Sequence, residues 1–162
     1  MLVLVLSGVA AGVAATWIMT LVTTFMYERE DRAAREREDR ARGDMTAYEI
    51  AADRSARLVG RKLTAEQRGR IGNAIHWGLG IAAALVYAFF REQIGDPSIV
   101  HGLIFGLLFW AVMDEGMVPL LRLTPGPFAF PWQTHFRGLV GHLVFGAVTE
   151  AALGLTAMLF RS

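Results

Sequence analysis

The sequence predicts an all-α fold: a four-helix transmembrane bundle with a charged helical linker between helices 1 and 2 and a Pro/aromatic interfacial loop between helices 3 and 4. Three observations predict it. Four stretches of 20 to 25 residues are almost free of charge: 2–26, 71–90, 99–121 and 138–160. Charge is segregated, with 22 of the 31 charged residues between Glu28 and Arg70. The apolar runs lack period-2 alternation, so they read as helices rather than barrel strands. About 20 residues at ~1.5 Å rise cross a ~30 Å hydrocarbon core. The 162 residues suit one integral membrane domain.

The composition excludes several classes. A net charge of +1 offers no basic field for nucleic acid. The absence of cysteine removes disulfides, thiolate metal sites and cysteine nucleophiles.

The first run, 2–26, is expected to be a retained helix rather than a cleaved signal peptide. No Lys or Arg precedes it, and it exceeds an ordinary signal-peptide apolar core. It leads into the linker, 27–70, whose first part reads YEREDRAAREREDRAR. Glu28 with Arg32, Asp31 with Arg35, Glu36 with Arg40 and Glu38 with Arg42 are spaced to pair at i,i+4, each worth a few tenths of a kcal/mol. Gly43 is the expected stop. Thr46 with Glu49, and Thr64 with Gln67, have capping-box spacing and start two further helices. The first of these either lies on the membrane, with Arg54, Arg57, Arg61 and Lys62 toward anionic headgroups, or packs on the bundle. The second begins near Ala65 and enters the bilayer near Ile71.

The third run, 99–121, carries Asp114 and Glu115. Its 12 Leu, Ile, Val and Phe residues favour insertion by about 4 to 7 kcal/mol. A central acid costs about 2.5 to 3.5 kcal/mol, and these two lie off-centre, so the run still inserts. Asp96 or Ser98 caps its start, and Pro97 fits the first turn. Pro125, Pro127 and Pro131 then forbid a regular helix in RLTPGPFAFPWQTHF, whose aromatics suit the headgroup interface. His135 belongs to that loop, and the fourth run is 138–160.

Lys and Arg set the orientation. The linker and the loop before the fourth run hold fourteen, and the opposite side only Arg91 and Arg161. The linker is therefore expected in the cytoplasm and both termini outside. Gly8 with Gly12, Gly102 with Gly106, and Gly146 with Gly154 mark close-packing faces, either within the bundle or in a homodimer.

Helical rise places Asn73, His76, Asp114, Glu115 and His142 at one depth. His76 lies ~7 Å inside the second run, His142 ~6 Å inside the fourth, and Asp114 ~10 Å before the end of the third. Glu150 follows His142 by two turns, deeper on nearly the same face. Ionisable groups in hydrocarbon face the bundle interior and often serve function. This layer suits proton, small-ion or small polar-ligand handling, with Glu150 deep and His142, His76 and Asp114 at the entry. The competing reading is a satisfied network that locks the helices, in which Glu115 snorkels to the interface. No helix carries His-x-x-x-His or Glu-x-x-His, so no metal, haem or other cofactor is expected. No phosphate loop or nucleophile elbow is present, so no enzymatic activity is expected.

A further pattern runs from His76 through Pro119, Leu120, Leu123, Thr124, Pro125, Phe128, Pro131 and Trp132 to Gly141-His142-Leu143-Val144 and Glu150. On these residues, and above all on LTPGPFAFPW with GHLV, the chain resembles the YagU-type family of small multi-pass bacterial inner-membrane proteins. It departs from that pattern at Gly138 and Asp114. The resemblance implies an inner-membrane location and brings no reaction, substrate or cofactor. The expected partners are the lipid bilayer, a second copy of the chain, and an anionic lipid or protein at residues 28–62. The alternative to ligand handling is a structural or assembly role in which that linker docks its partner.

Overall fold

The computed structural model describes residues 1–94 and 97–160. Asp96, one of the two expected caps, and Arg161, counted in the orientation, lie outside the described residues. Among the described residues the chain is all-α. Four helices are long and apolar enough to cross a membrane: α1 (Leu2–Arg29), α4 (Ala65–Arg91), a third spanning Ile99–Leu120, and α7 (Trp132–Leu159). The third is α5 (Ile99–Val112), a π-helical segment (Met113–Met117) and the short α6 (Val118–Leu120). The linker forms α2 (Arg32–Arg42) and α3 (Ala47–Leu58).

Local chemistry sets the ends. Asp31 accepts from the Ala34 N–H at 2.9 Å and starts α2. Gly43, at φ 68°, ends it with a backbone turn that glycine adopts without steric cost. Thr46 with Glu49 and Thr64 with Gln67 form complete capping boxes at α3 and α4. The Ser98 N–H donates to His101 Nδ1 at 3.1 Å where α5 begins.

The helices pack in the order α4–α1–α7–α5. Small residues make this possible. Ala11, Ala15 and Thr16 of α1 meet Ala84, Tyr87 and Ala88 of α4 with Phe145 and Leu153 of α7, all buried. A Cβ on Gly8 or Gly12 would meet α4, and one on Gly102 or Gly106 would overlap the α7 backbone. These stripes are thus filled within the chain, so they do not call for a second copy. The apolar residues that remain exposed, such as Trp17, Leu21 and Phe25 on α1 and Ile104, Leu107 and Leu108 on α5, form the faces a bilayer would cover.

Several sequence expectations are corrected. Of the four linker pairs, the structure shows Glu36–Arg40, at 4.0 Å. Asp31 is used as a cap, and Glu38 is buried against Arg137 of α7, whose Nη2 donates to both its oxygens at 2.6 Å. Arg137 also grips Glu30, and its guanidinium lies 5.0 Å from the Tyr27 ring. Thr134 donates to Glu38 at 2.7 Å. The α1–α2 joint is therefore clamped to α7. The helix α3 packs on α4 with Ala52 buried. Its Arg54 donates to the Leu121 and Arg122 carbonyls at 2.6 and 2.7 Å, satisfying acceptors that the end of α6 leaves unpaired. Finally, α7 starts at Trp132, one turn and a half before the expected 138, because Pro131 stands at its N-cap. His135 is therefore a helical residue, not a loop one.

Candidate functional site

The linker-side half of the space between α4 and α5 is a cavity of about 200 Å³. His76 of α4, Asp114 of the π segment, His142 of α7 and Tyr48 of α3 line it together. The rest of its wall is mainly apolar, including Met19, Leu79, Phe109, Met113 and Phe145. The buried Thr16 hydroxyl also lines it and has no hydrogen-bond partner among the described residues.

Each group is positioned by its element. Pro119 has no N–H to give the Glu115 carbonyl four residues back, and the helix upstream of it widens into the π segment. That segment separates neighbours: Asp114 lines the cavity, whereas Glu115 faces an adjoining cleft. His142 Nδ1 lies 2.9 Å from the Gly138 carbonyl, which can only accept, so Nδ1 carries the proton and Nε2 is free. The ring edge of His142 meets Phe109, with centroids 5.1 Å apart. Asp114 Oδ2 is 3.6 Å from Nδ1, close enough for attraction but too long for a hydrogen bond. His76 stacks at a tilt on Tyr48, with centroids 5.0 Å apart. Tyr48 lies outside the spanning helices, and burial, reinforced by the Asp114 charge, pushes its phenol up to about 12.

The cleft beside this cavity encloses about 330 Å³ beneath the proline loop. Asp114 and Tyr48 line both spaces. Glu115 Oε1 lies 2.6 Å from His135 Nδ1, and His135 Nε2 lies 3.0 Å from the Pro127 carbonyl. Glu115 is thus paired rather than snorkelling.

The structure brings together three of the six expected residues: His76, Asp114 and His142. Glu150 lies elsewhere, gripped by Arg91 through Nε and Nη2, each at 2.8 Å, and by the Tyr87 hydroxyl at 2.8 Å. Asn73 is exposed and lines a shallow depression with His76, Glu49 and Gly72. Tyr48 and His135 were missed. The capping box of Thr46 and Glu49, which encloses Tyr48, was the available signal for the first, because a capped amphipathic helix must dock somewhere. Nothing in the proline-rich phrase signalled the second. Among the described residues no three His, Asp or Glu side chains converge closely enough to hold a metal ion.

Four apolar helices of spanning length define a multi-pass membrane protein. The chain belongs to the family described as "Protein of unknown function (DUF1440)", whose model matches residues 60–151. The match includes His76, Asp114, His135 and His142 and leaves out α1, α2 and α3 with Tyr48. Neither the curated proteins nor the solved structures give a match.

Proposed function

We propose that the protein binds a small, largely apolar ligand carrying one hydrogen-bonding or cationic group, in a proton-dependent and non-enzymatic manner. The observation that carries this reading is the convergence of Asp114, His142, His76 and Tyr48 on one otherwise apolar cavity within the membrane half nearer the linker. An apolar wall with a few convergent polar groups is the usual make-up of a ligand site. A carboxyl and two imidazoles supply groups that exchange protons, and a structural lock would tie them off. Asp114 and His76 have no hydrogen bond to the chain among the described residues, whereas Glu150 is fully tied.

The setting we propose is a bacterial inner membrane, with the linker cytoplasmic and both termini outside. The excess of Lys and Arg on the linker side supports that orientation, and the LTPGPFAFPW and GHLV phrases support membership of the YagU-type group. The clamp of Arg137 on Glu30 and Glu38 favours a linker fastened to its own bundle over a free docking arm. Lipid contact at Arg61 and Lys62 and self-association remain secondary expectations.

The test uses dicyclohexylcarbodiimide, an apolar reagent that couples to protonated carboxyls, on protein in lipid nanodiscs. Mass spectrometry should find Asp114 modified ahead of Glu150 and Glu115, with slower modification in His142→Phe. Preferential labelling of Glu150, or an inert Asp114 across acid and neutral pH, would remove the basis for the proposal.

A further inference from the structure

The Glu115–His135 pair obeys a constraint of hydrogen counting. The Pro127 carbonyl accepts from His135 Nε2 at 3.0 Å, so Nε2 must carry a hydrogen. A neutral ring then has a bare lone pair on Nδ1. That atom stands 2.6 Å from Glu115 Oε1. A bare nitrogen and an ionised carboxylate oxygen repel at such a distance. One proton therefore lies between them, either on Nδ1 or on the carboxyl. Whichever atom holds it, the pair binds one proton more than a neutral histidine beside an ionised glutamate.

The surroundings give this proton a destination. The adjacent residue of the π segment is Asp114, which lines both the cleft containing the pair and the cavity containing His76 and His142. The cleft reaches Arg42 and Thr46 of the charged linker. We propose that Glu115–His135 is a proton-loading site that supplies the Asp114 carboxylate from the linker-side surface.

In the transfer, the N–H or O–H bond of the shared proton breaks, and an O–H bond forms on Asp114 through a bridging water. The emptied pair takes a replacement proton from interfacial water entering the cleft. Other charged or titratable groups facing the pair are Arg42 of α2, Tyr48 of α3, Asp114 itself, and Glu38 and Arg137, which reach it through Thr134. Arg42 is held by Asp39 at 2.9 Å, and Arg137 is held by Glu30 and Glu38. Neither competes for the shared proton. Only the proton's destination rests on the ligand-site reading above; the shared proton itself does not.

Two measurements on nanodisc protein test the proposal. Nitrogen-15 spectra of the histidine rings, with His135 assigned by its loss in His135→Asn, should show Nε2 protonated and Nδ1 sharing a proton. In Glu115→Gln the amide can donate to Nδ1, so His135 should become an ordinary neutral Nε2–H ring with the fold kept. A wild-type ring with bare Nε2, or with bare Nδ1 beside an ionised Glu115, overturns the loading site. The second measurement is a pH jump from photolysed o-nitrobenzaldehyde, monitored through the infrared carboxyl band that disappears in Asp114→Asn. Protonation of Asp114 should slow roughly a hundredfold in Glu115→Gln, the lower end of what a positioned proton donor contributes. An unchanged rate overturns the relay. Failure of carbodiimide to label Asp114 counts against the ligand cavity and leaves the ring spectra untouched, so the two failures are distinguishable.

Discussion

Arg91, the last residue of α4, closes on both carboxylate oxygens of Glu150 in the middle of α7, with both N–O distances at 2.8 Å. The two side chains are 16% and 6% exposed, so the pair is held away from water. Removing one partner leaves a buried charge without company, at a cost of about 3 to 5 kcal/mol. Arg91→Ala should therefore lower the unfolding midpoint in detergent strongly, whereas replacing both residues with Met and Leu should restore much of it. A single variant within about 0.5 kcal/mol of wild type would show that the pair does not hold the helices.

The packing of α5 on α7 rests on a backbone approach. A Cβ at Gly106 would overlap the His142 carbonyl oxygen, while one at Gly78 meets nothing within 4 Å. Gly106→Ala is expected to cost about 1 to 3 kcal/mol as overpacking. Gly78→Ala is expected to gain about 0.4 to 1 kcal/mol through reduced unfolded-state freedom. Matched detergent unfolding curves check both, and equal effects would contradict the packing.

Alkaline pH addresses Tyr48. Burial and Asp114 raise its phenol from 10.0 to about 12 in the folded chain. Below the unfolded value both states keep the proton, and the contribution of Tyr48 is intact. As pH rises from about 10 to about 12, only the unfolded state loses it, and stability should fall by about 1.4 kcal/mol per pH unit. Tyrosinate absorbance should show a late-titrating phenol missing from Tyr48→Phe. Loss of an ordinary-titrating phenol from that variant, instead of the late one, would mean that Tyr48 faces water.

The clamp at Arg137 predicts a local effect. Arg137→Ala strands Glu38, whose side chain is 8% exposed. The linker should detach from α7 before the bundle melts. Limited proteolysis at the loop around Gly43 should accelerate while the midpoint for the spanning helices moves less. Uniform loss of both would show that the linker and bundle unfold as one.

The four helices and the two linker capping boxes were legible because their signals are local: an uninterrupted apolar run, and a Thr with Glu or Gln three residues later. Shared depth was legible from helical rise, and of the five residues it grouped, His76, Asp114 and His142 line one cavity while Asn73 and Glu115 do not. Azimuth was not. Whether Glu150 faces the cavity or Arg91 depends on how α4 and α7 turn against each other, and no spacing within one helix reports that. Glu38 shows the same limit. Its best local partner was Arg42, but Arg137, 99 positions away, satisfies it better, with one buried guanidinium nitrogen donating to both its oxygens. The early start of α7 was hidden by Pro131, which breaks a helix internally yet suits the position just before a first turn.

The widened turn at Met113–Met117 makes chain length, as well as side-chain identity, a determinant in this membrane bundle. Deleting one residue would let the segment relax to the ordinary 3.6-residue turn, and the change of facing would fall on the segment's own residues rather than on α6. Asp114 would then lose its place between the cavity and the cleft with its carboxyl, and those of its neighbours, still present. A screen of single-residue deletions could therefore silence this protein more thoroughly than many point substitutions.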